Sequence, residues 1–317
     1  MASQHRPGRL PYVTALGGAL CIAFSAILVR LADVTPTTAA VFRCAYALPV
    51  LGFVALVERR RFGPRSRQQR RWALGAGMLF AADLILWHYA IGFVGAGLAT
   101  VLGNTQVAIV GVLAWLLLGE RLDWRVGVSI PVVLAGVTLI SGVLGEGAYG
   151  DRPVLGTLFG LGTGAAYAGF ILLLRHSGGD GRRPAGPLFD ATLVAAVTAA
   201  LVGAGLGDVD LVPSWPAHGW LITLALTSQV LGWLLISISL PRLPAVITSL
   251  LLLVQPVGTV LLGMVLLSEA PSGWQLSGVA IVLAGILIAT LRRSDREPPA
   301  APLDAPLADA GRPGARQ

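Results

Sequence analysis

The segment that decides the fold is VQPVGTVLLGMVLLSE, residues 254–269, an apolar run that contains a Gln-Pro pair and ends at a glutamate. Proline inside a helix removes a hydrogen bond and clashes with the preceding turn. An amide among aliphatic side chains is costly unless it finds a partner. A second run, NTQVAIVGVLAWLLLGE, has the same arrangement, because Gln106 and Glu120 lie 149 residues before Gln255 and Glu269. The chain therefore contains two related apolar segments.

The composition is typical of a protein whose solvent is the lipid bilayer. Hydrophobic residues make up 55% of the 317 residues and charged residues 12%, whereas soluble domains carry about 25% charged residues. The apolar residues form runs of about 20, the length that crosses a hydrocarbon core. These runs predict an all-α polytopic membrane protein with ten transmembrane helices, at about 11–30, 37–57, 73–94, 96–118, 125–144, 154–174, 188–207, 219–240, 244–267 and 274–291.

Further matches indicate that the chain is a duplicated unit of five spans. The triplet Leu-Ala-Gly that ends at Gly136 recurs 149 residues later, ending at Gly285, and Trp87 recurs as Trp233 at an offset of 146. Because five is odd, the second half must enter the membrane from the opposite side. The prediction is therefore two inverted five-helix repeats, an architecture associated with alternating access.

The predicted domain organisation follows from these repeats. The tail after the last span is rich in proline and alanine and carries charges, a composition typical of disorder. The predicted divisions are a cytoplasmic N-terminal segment at 1–10, the first repeat at 11–144, an outer linker at 145–153, the second repeat at 154–291 and a disordered cytoplasmic tail at 292–317.

The net charge of +7 reflects membrane topology, not a nucleic-acid partner. All 23 basic residues are arginine, and seven of them lie in ERRRFGPRSRQQRR between spans two and three. With a cytoplasmic N-terminus, twenty of the 23 fall on cytoplasmic segments. This positive-inside asymmetry predicts that both termini are cytoplasmic.

Several features together resemble the EamA-type members of the drug/metabolite transporter superfamily. They are the two five-span halves, the fourth span of each half ending in GE or SE, the proline at Pro256, and the arginine of VFRCAYALP in span two. The first half has Val107 where the second has Pro256. The resemblance implies export of small metabolites, often amino acids or their derivatives, across the inner membrane of a bacterium.

Three ionisable residues, Arg43, Asp83 and His88, lie well inside predicted spans, where such groups usually face a cavity or each other. Arg43 can reach toward Asp83 with its long side chain. One interpretation is a structural ion pair between spans two and three, and another is proton coupling through Asp83. His88 is either a proton relay or a hydrogen-bonded packing residue.

Strongly polar and aromatic residues at mid-span depth are candidates for the wall of a substrate cavity. We expect Gln106 and Gln255 to face it, although inter-helix hydrogen bonds and ordinary packing are the alternatives. The cavity candidates are Gln106, Gln255, Gln229, Trp87, Trp233 and Asn104.

A second set of residues is predicted to serve a gate or structural role: Glu120, Glu269 and Pro256. A carboxylate at a helix C-terminus is unfavourable for the helix dipole. The N-terminal amides or the arginines of a neighbouring helix are therefore expected to compensate each glutamate. The glycines at 156, 160 and 164 form a GxxxGxxxG pattern, which predicts a close helix approach.

The function that these features favour is a secondary transporter whose partners are a small-molecule substrate and the lipid bilayer. The sequence has no HExxH motif or nucleophile elbow, and Cys21 and Cys44 lack the spacing of metal ligands. We therefore predict no enzyme activity, no metal and no cofactor. A sensor or scaffold without flux, a membrane enzyme and a channel are the alternatives. Proton-coupled and facilitated transport both fit, and the sequence does not indicate an oligomeric state.

Overall fold

A computed structural model describes residues 9–106, 108–109, 124–144, 147–178, 183–239 and 254–290, and the regular secondary structure in these ranges is helical. The helices are α1 (Arg9–Ala23), α2 (Ser25–Ala32), α3 (Pro36–Phe62), α4 (Arg67–Gly103), α5 (Trp124–Ile140), α6 (Pro153–Gly178), α7 (Ala185–Leu206), α8 (Trp215–Leu224), α9 (Trp233–Ser239), α10 (Val254–Leu266) and α11 (Gly273–Thr290), with a π-helical segment, Ala225–Gly232, joining α8 to α9.

The helices have the lengths and compositions of membrane spans. Among the described residues, six helical stretches are long and apolar enough to cross a membrane, and three shorter helices are also apolar. In this count α1 and α2 form one stretch, and α8, the π-helical segment and α9 form another. Parts of the predicted fourth and ninth spans fall at 110–123 and 240–253, outside the described residues. The count of ten spans therefore stays a prediction, as does the disordered tail at 292–317, which also lies outside them.

The chain reverses direction within α4, at Gly95. This residue has a φ of 87° and is not helical, a conformation that glycine adopts without steric cost. A Cβ on Gly103 would lie 4.0 Å from Trp87 Cδ1, whereas sixteen residues of continuous helix would span about 24 Å. The arm before Gly95 and the arm after it therefore lie side by side. Gly95 falls between the two spans predicted at 73–94 and 96–118.

The GxxxGxxxG pattern of α6 packs against both arms of α4. A Cβ would lie 2.4 Å from Val94 at Gly156 and 2.6 Å from Leu102 at Gly160, too close for any side chain. The absence of side chains on this face of α6 thus allows the second half of the chain to contact the first over a long seam.

Helices α5 and α11 form a contact in which equivalent residues exchange partners. A Cβ on Gly136 would lie 2.8 Å from Val282, and a Cβ on Gly285 would lie 2.7 Å from Val133. The two glycines are 149 residues apart, and so are the two valines. A contact that repeats with its partners exchanged has the form of a two-fold, self-complementary interface.

Candidate functional site

A cavity lies between the two halves of the chain, with a volume of about 60 Å³. Small-molecule pockets usually measure about 300–1,000 Å³, so a metabolite would enter only if the walls moved apart. Among the described residues the cavity is lined by Ile22, Ser25, Arg43, Phe80, Asp83, Leu84, Trp87, Thr100, Gly103, Asn104, Thr163, Tyr167, Trp233 and Gln255.

Arg43 is held in this cavity by two polar side chains of the second half. Its side chain is buried, and its Nε donates a 3.1 Å hydrogen bond to Oε1 of Gln229. The Gln229 amide in turn donates to Oγ1 of Thr192, at 3.3 Å. Gln229 lies in the π-helical segment, and such segments are frequent at functional sites. The guanidinium is therefore oriented by a chain of contacts that links α3 to α7 and to the segment after α8.

Asp83 lies in the same cavity as Arg43, but the two do not form the predicted direct ion pair. Asp83 is 7% exposed, and no hydrogen bond or ion pair involves it in the part of the chain that the structure describes. Arg43 points its Nε at Gln229 instead. The buried guanidinium of Arg43 and the buried carboxyl group of Asp83 thus face one space without a direct contact.

Aromatic side chains form the remaining wall of the cavity. Trp87 lies under Arg43, with the guanidinium carbon 5.6 Å from the centre of its ring, a cation–π distance. Trp233 meets Tyr167 edge to face, with 6.2 Å between ring centres. Both repeat-related tryptophans line the cavity, which gives it apolar surface beside its two charges.

The predicted amide candidates lie in different places. Gln255 and Asn104 line the cavity, and the amide nitrogen of Asn104 donates to the carbonyl of Thr100 at 2.8 Å. Gln229 lies behind Arg43 and acts on the cavity through it. Gln106 is not among the lining residues. Pro256 is buried next to Gln255.

His88 lies outside the cavity wall. It is 3% exposed, and its Nδ1 lies 3.0 Å from the carbonyl oxygen of Pro36, to which it donates. Its Nε2 is buried and has no hydrogen-bond partner among the residues that the structure describes. The observed contact is the one expected of a hydrogen-bonded packing residue, and a relay role stays a prediction.

Glu269 binds the backbone at the break in α4. Its Oε1 accepts from the N–H of Ala96 at 2.5 Å, and its Oε2 accepts from the N–H of Gly97 at 3.1 Å. These are the first amides of the second arm of α4, where a helix has unpaired donors and a positive dipole end. Burial, and next the Glu269 carboxylate, raises the pKa of nearby Tyr149. Glu120 lies outside the described residues.

The sequence did not single out Thr163, although it is a polar member of the cavity wall. Its side chain is buried, and within the described part of the chain its hydroxyl oxygen has no hydrogen-bond partner. Threonine hydroxyls in membrane helices usually bond to their own backbone, so the residue type gives no signal of a site. Among the described residues, no group of three His, Cys, Asp or Glu side chains could hold a metal ion.

The comparisons with known proteins agree with this architecture. A profile of the EamA-like transporter family matches residues 9–142 and 154–291. No curated protein matches. Among solved structures, 26 chains match, and one, described as "Crystal structure of protein", superposes with a TM-score of 0.58 at 19% identity, over 89% of this chain and 98% of that one. At this identity the likeness concerns the fold alone.

Proposed function

The chain belongs to the EamA-like transporter family of the drug/metabolite transporter superfamily, and on that premise we propose that it exports small zwitterionic metabolites through the cavity between its halves. Amino acids and their amphipathic derivatives are the substrate class. As a transporter and a multi-pass membrane protein, it requires a small-molecule substrate and a bilayer. We propose three further properties: the direction of transport, the substrate class and the mechanism.

The observation that carries the proposal is that two ionisable side chains, Arg43 and Asp83, face one cavity without a direct contact. A buried charge is costly unless it is paired. The forked guanidinium of Arg43 suits a carboxylate, and the carboxylate of Asp83 suits an ammonium group. A zwitterion would supply a partner to each charge at once, while Trp87 and Trp233 would contact its apolar part.

Alternating access is the proposed mechanism, with the two halves at 11–144 and 154–291 as the moving repeats. The exchange of equivalent partners between α5 and α11 supports a two-fold relation between the halves. The cavity is smaller than a usual small-molecule pocket, so entry of a substrate requires the two halves to move apart. In an inverted repeat, one structure reaches both states by exchanging the conformations of its halves.

We also propose that the protein lies in the inner membrane of a bacterium, with both termini in the cytoplasm. The support is the arginine distribution, since residues 58–71, from the end of α3 to the start of α4, carry seven of the 23 arginines. Basic segments are retained on the cytoplasmic side of the membrane. Export is the direction that the family resemblance implies.

Replacing Gln255 with alanine is expected to lower export about 2–10-fold, the effect of losing one uncharged hydrogen bond to the substrate. Gln106→Ala is the matched control, because it removes the repeat-related amide from a side chain that does not line the cavity. The measurement is mass spectrometry of the growth medium from cells that produce each variant at equal membrane levels.

The wild-type protein should enrich at least one zwitterionic metabolite over cells with an empty vector, and Gln106→Ala should do the same. Equal enrichment by wild type and Gln255→Ala would show that the Gln255 side chain does not contribute to transport of that metabolite. The absence of any enriched metabolite would favour a sensor or scaffold without flux.

A further inference from the structure

Helices α3 and α7 pack along their length in opposite directions. At each end of the pair, a carboxylate at the C-terminal end of one helix binds the N-terminal turn of the other. Phe189, near the start of α7, would lie 3.1 Å from a Cβ on Gly52, in the second half of α3. Gly203, near the end of α7, lies against Thr37 at the start of α3. The two ends of this pair therefore lie toward opposite faces of the membrane.

At one end, Glu58 of α3 binds the first amides of α7. Its Oε1 accepts from the N–H of Ala185 at 3.0 Å, and its Oε2 accepts from the N–H of Gly186 at 2.8 Å. A carboxylate at a helix N-terminus pairs unbonded donors and complements the dipole. An ion pair between Arg65 and Asp190, at 2.6 Å, reinforces this end.

At the other end, Asp208 follows α7 and binds the first turn of α3. Its Oδ1 accepts from the hydroxyl of Thr37, and its backbone carbonyl accepts from the hydroxyl of Thr35. Its Oδ2 accepts from the hydroxyl of Tyr89, on α4, at 2.6 Å. Two residues later, the N–H of Asp210 donates to Thr38 at 2.8 Å.

The two carboxylates occupy equivalent places in the two halves. Glu58 and Asp208 are 150 residues apart in the sequence, close to the offset that relates the two predicted repeats. Each lies near the C-terminal end of one helix and binds the N-terminal turn of the other. The contact is thus reciprocal, and it joins the first half of the chain to the second at both ends.

We propose that Glu58 and Asp208 are a repeat-related pair of gating residues, each of which holds one face of the transporter closed. This inference rests on the proposed alternating access. Both carboxylates are engaged in this structure, and the cavity between them is small. Release of the Asp208 contacts would separate α7 from α3 and α4 at one face, and release of the Glu58 contacts would separate α3 from α7 at the other.

Glu58 and Asp208 suit this role because the few hydrogen bonds that each accepts can hold the helices together at one face and can still break when that face opens. Each accepts two hydrogen bonds through its side-chain oxygens. Loss of a charge-assisted bond shifts an equilibrium about 10-fold or more. A neutral amide in place of either carboxylate should therefore bias the transporter toward opening at that face alone.

The test measures access to the cavity from each side. The chain has two cysteines, and with Cys21→Ala and Cys44→Ala as background, Ser25→Cys places one thiol in the cavity wall. A membrane-impermeant thiol reagent is added to right-side-out or to inside-out vesicles, and the labelling rate is followed by mass spectrometry. The test variants are Glu58→Gln and Asp208→Asn, and exposed Asp151→Asn is the control.

We expect Glu58→Gln to raise the labelling rate about 10-fold from one face and Asp208→Asn to raise it from the opposite face. Milder variants test the same contacts if either protein is poorly folded. Tyr89→Phe should resemble Asp208→Asn, and Asp190→Asn should resemble Glu58→Gln, both with smaller shifts.

Two results would overturn the inference: unchanged labelling in all four variants, or increases at the same face for both carboxylates. These results are distinct from a failure of the proposed function. Labelling requires no substrate. One-sided shifts in the labelling rate without any exported metabolite would therefore support the gating role of Glu58 and Asp208 and contradict the proposed export.

Discussion

Replacing Arg43 with leucine is expected to lower the export rate by at least about 30-fold. The substitution removes the group proposed to bind the substrate carboxylate. It also leaves Asp83 in the cavity without the guanidinium nearby and leaves Oε1 of Gln229 without its donor. Truncating one partner of a buried charge contact costs about 2–5 kcal/mol, which corresponds to a factor of roughly 30 to several thousand. The measurement is the export rate by mass spectrometry of the medium, at matched membrane levels.

Two further variants separate a role in transport from a role in folding. Arg43→Lys keeps the charge but loses the forked geometry, and we expect partial export. The pair Arg43→Leu and Asp83→Leu removes both charges, which should restore stability without restoring export. Arg60→Leu, at an exposed position, should export as wild type does. Export by Arg43→Leu at more than half the wild-type rate would contradict the proposed site.

Replacing Glu269 with alanine is expected to cause the largest loss of stability. The substitution leaves the N–H groups of Ala96 and Gly97 without an acceptor in a buried position. Each orphaned buried donor costs about 1–3 kcal/mol, and the helix loses the charge at its N-terminus. A clear fall in the thermal unfolding midpoint of the purified protein in detergent should follow.

Glu269→Gln is the matched variant for this prediction. Its side-chain oxygen can still accept from one of the two amides, so its unfolding midpoint should lie between those of wild type and Glu269→Ala. Exposed Thr223→Ala should leave the midpoint unchanged. An alanine variant as stable as wild type would show that the Glu269 contacts do not hold the reversal at Gly95.

The sequence predicted those features that depend on composition and spacing. The apolar runs predicted helices of spanning length, and the glycines of α6 predicted a close helix approach, which the structure shows to be against α4. Glu269, at the end of the segment 254–269, places a negative charge at a helix C-terminus, where it is unfavourable for the helix dipole. Neighbouring amides were one of the two groups expected to compensate this charge, and Glu269 does bind the amides of Ala96 and Gly97.

The features that the sequence did not predict depend on which helices are neighbours. Arg43 has the reach to approach Asp83, but the π-helical segment brings Gln229 into hydrogen-bonding distance of its Nε. Gln106 and Gln255 have the same depth along their spans, yet only Gln255 lines the cavity. Depth follows from counting residues, whereas the direction of a side chain depends on how each helix is rotated in the bundle.

The repeat offset alone does not identify Glu58 and Asp208 as a pair. They lie 150 residues apart, but they are different residue types at the ends of apolar runs, where carboxylates are common. The offset has meaning only when α3 and α7 are known to pack in opposite directions. This packing makes each carboxylate meet the first turn of the other helix.

Efflux from proteoliposomes tests the central claim most directly, that this chain moves small zwitterions through the cavity that holds Arg43 and Asp83. Liposomes that contain the purified protein are loaded with an equal mixture of the common amino acids, and mass spectrometry follows their release. We predict that wild type releases a subset of zwitterionic amino acids faster than protein-free liposomes do, and that Arg43→Leu releases none faster. Equal release of every amino acid with and without protein would contradict the claim.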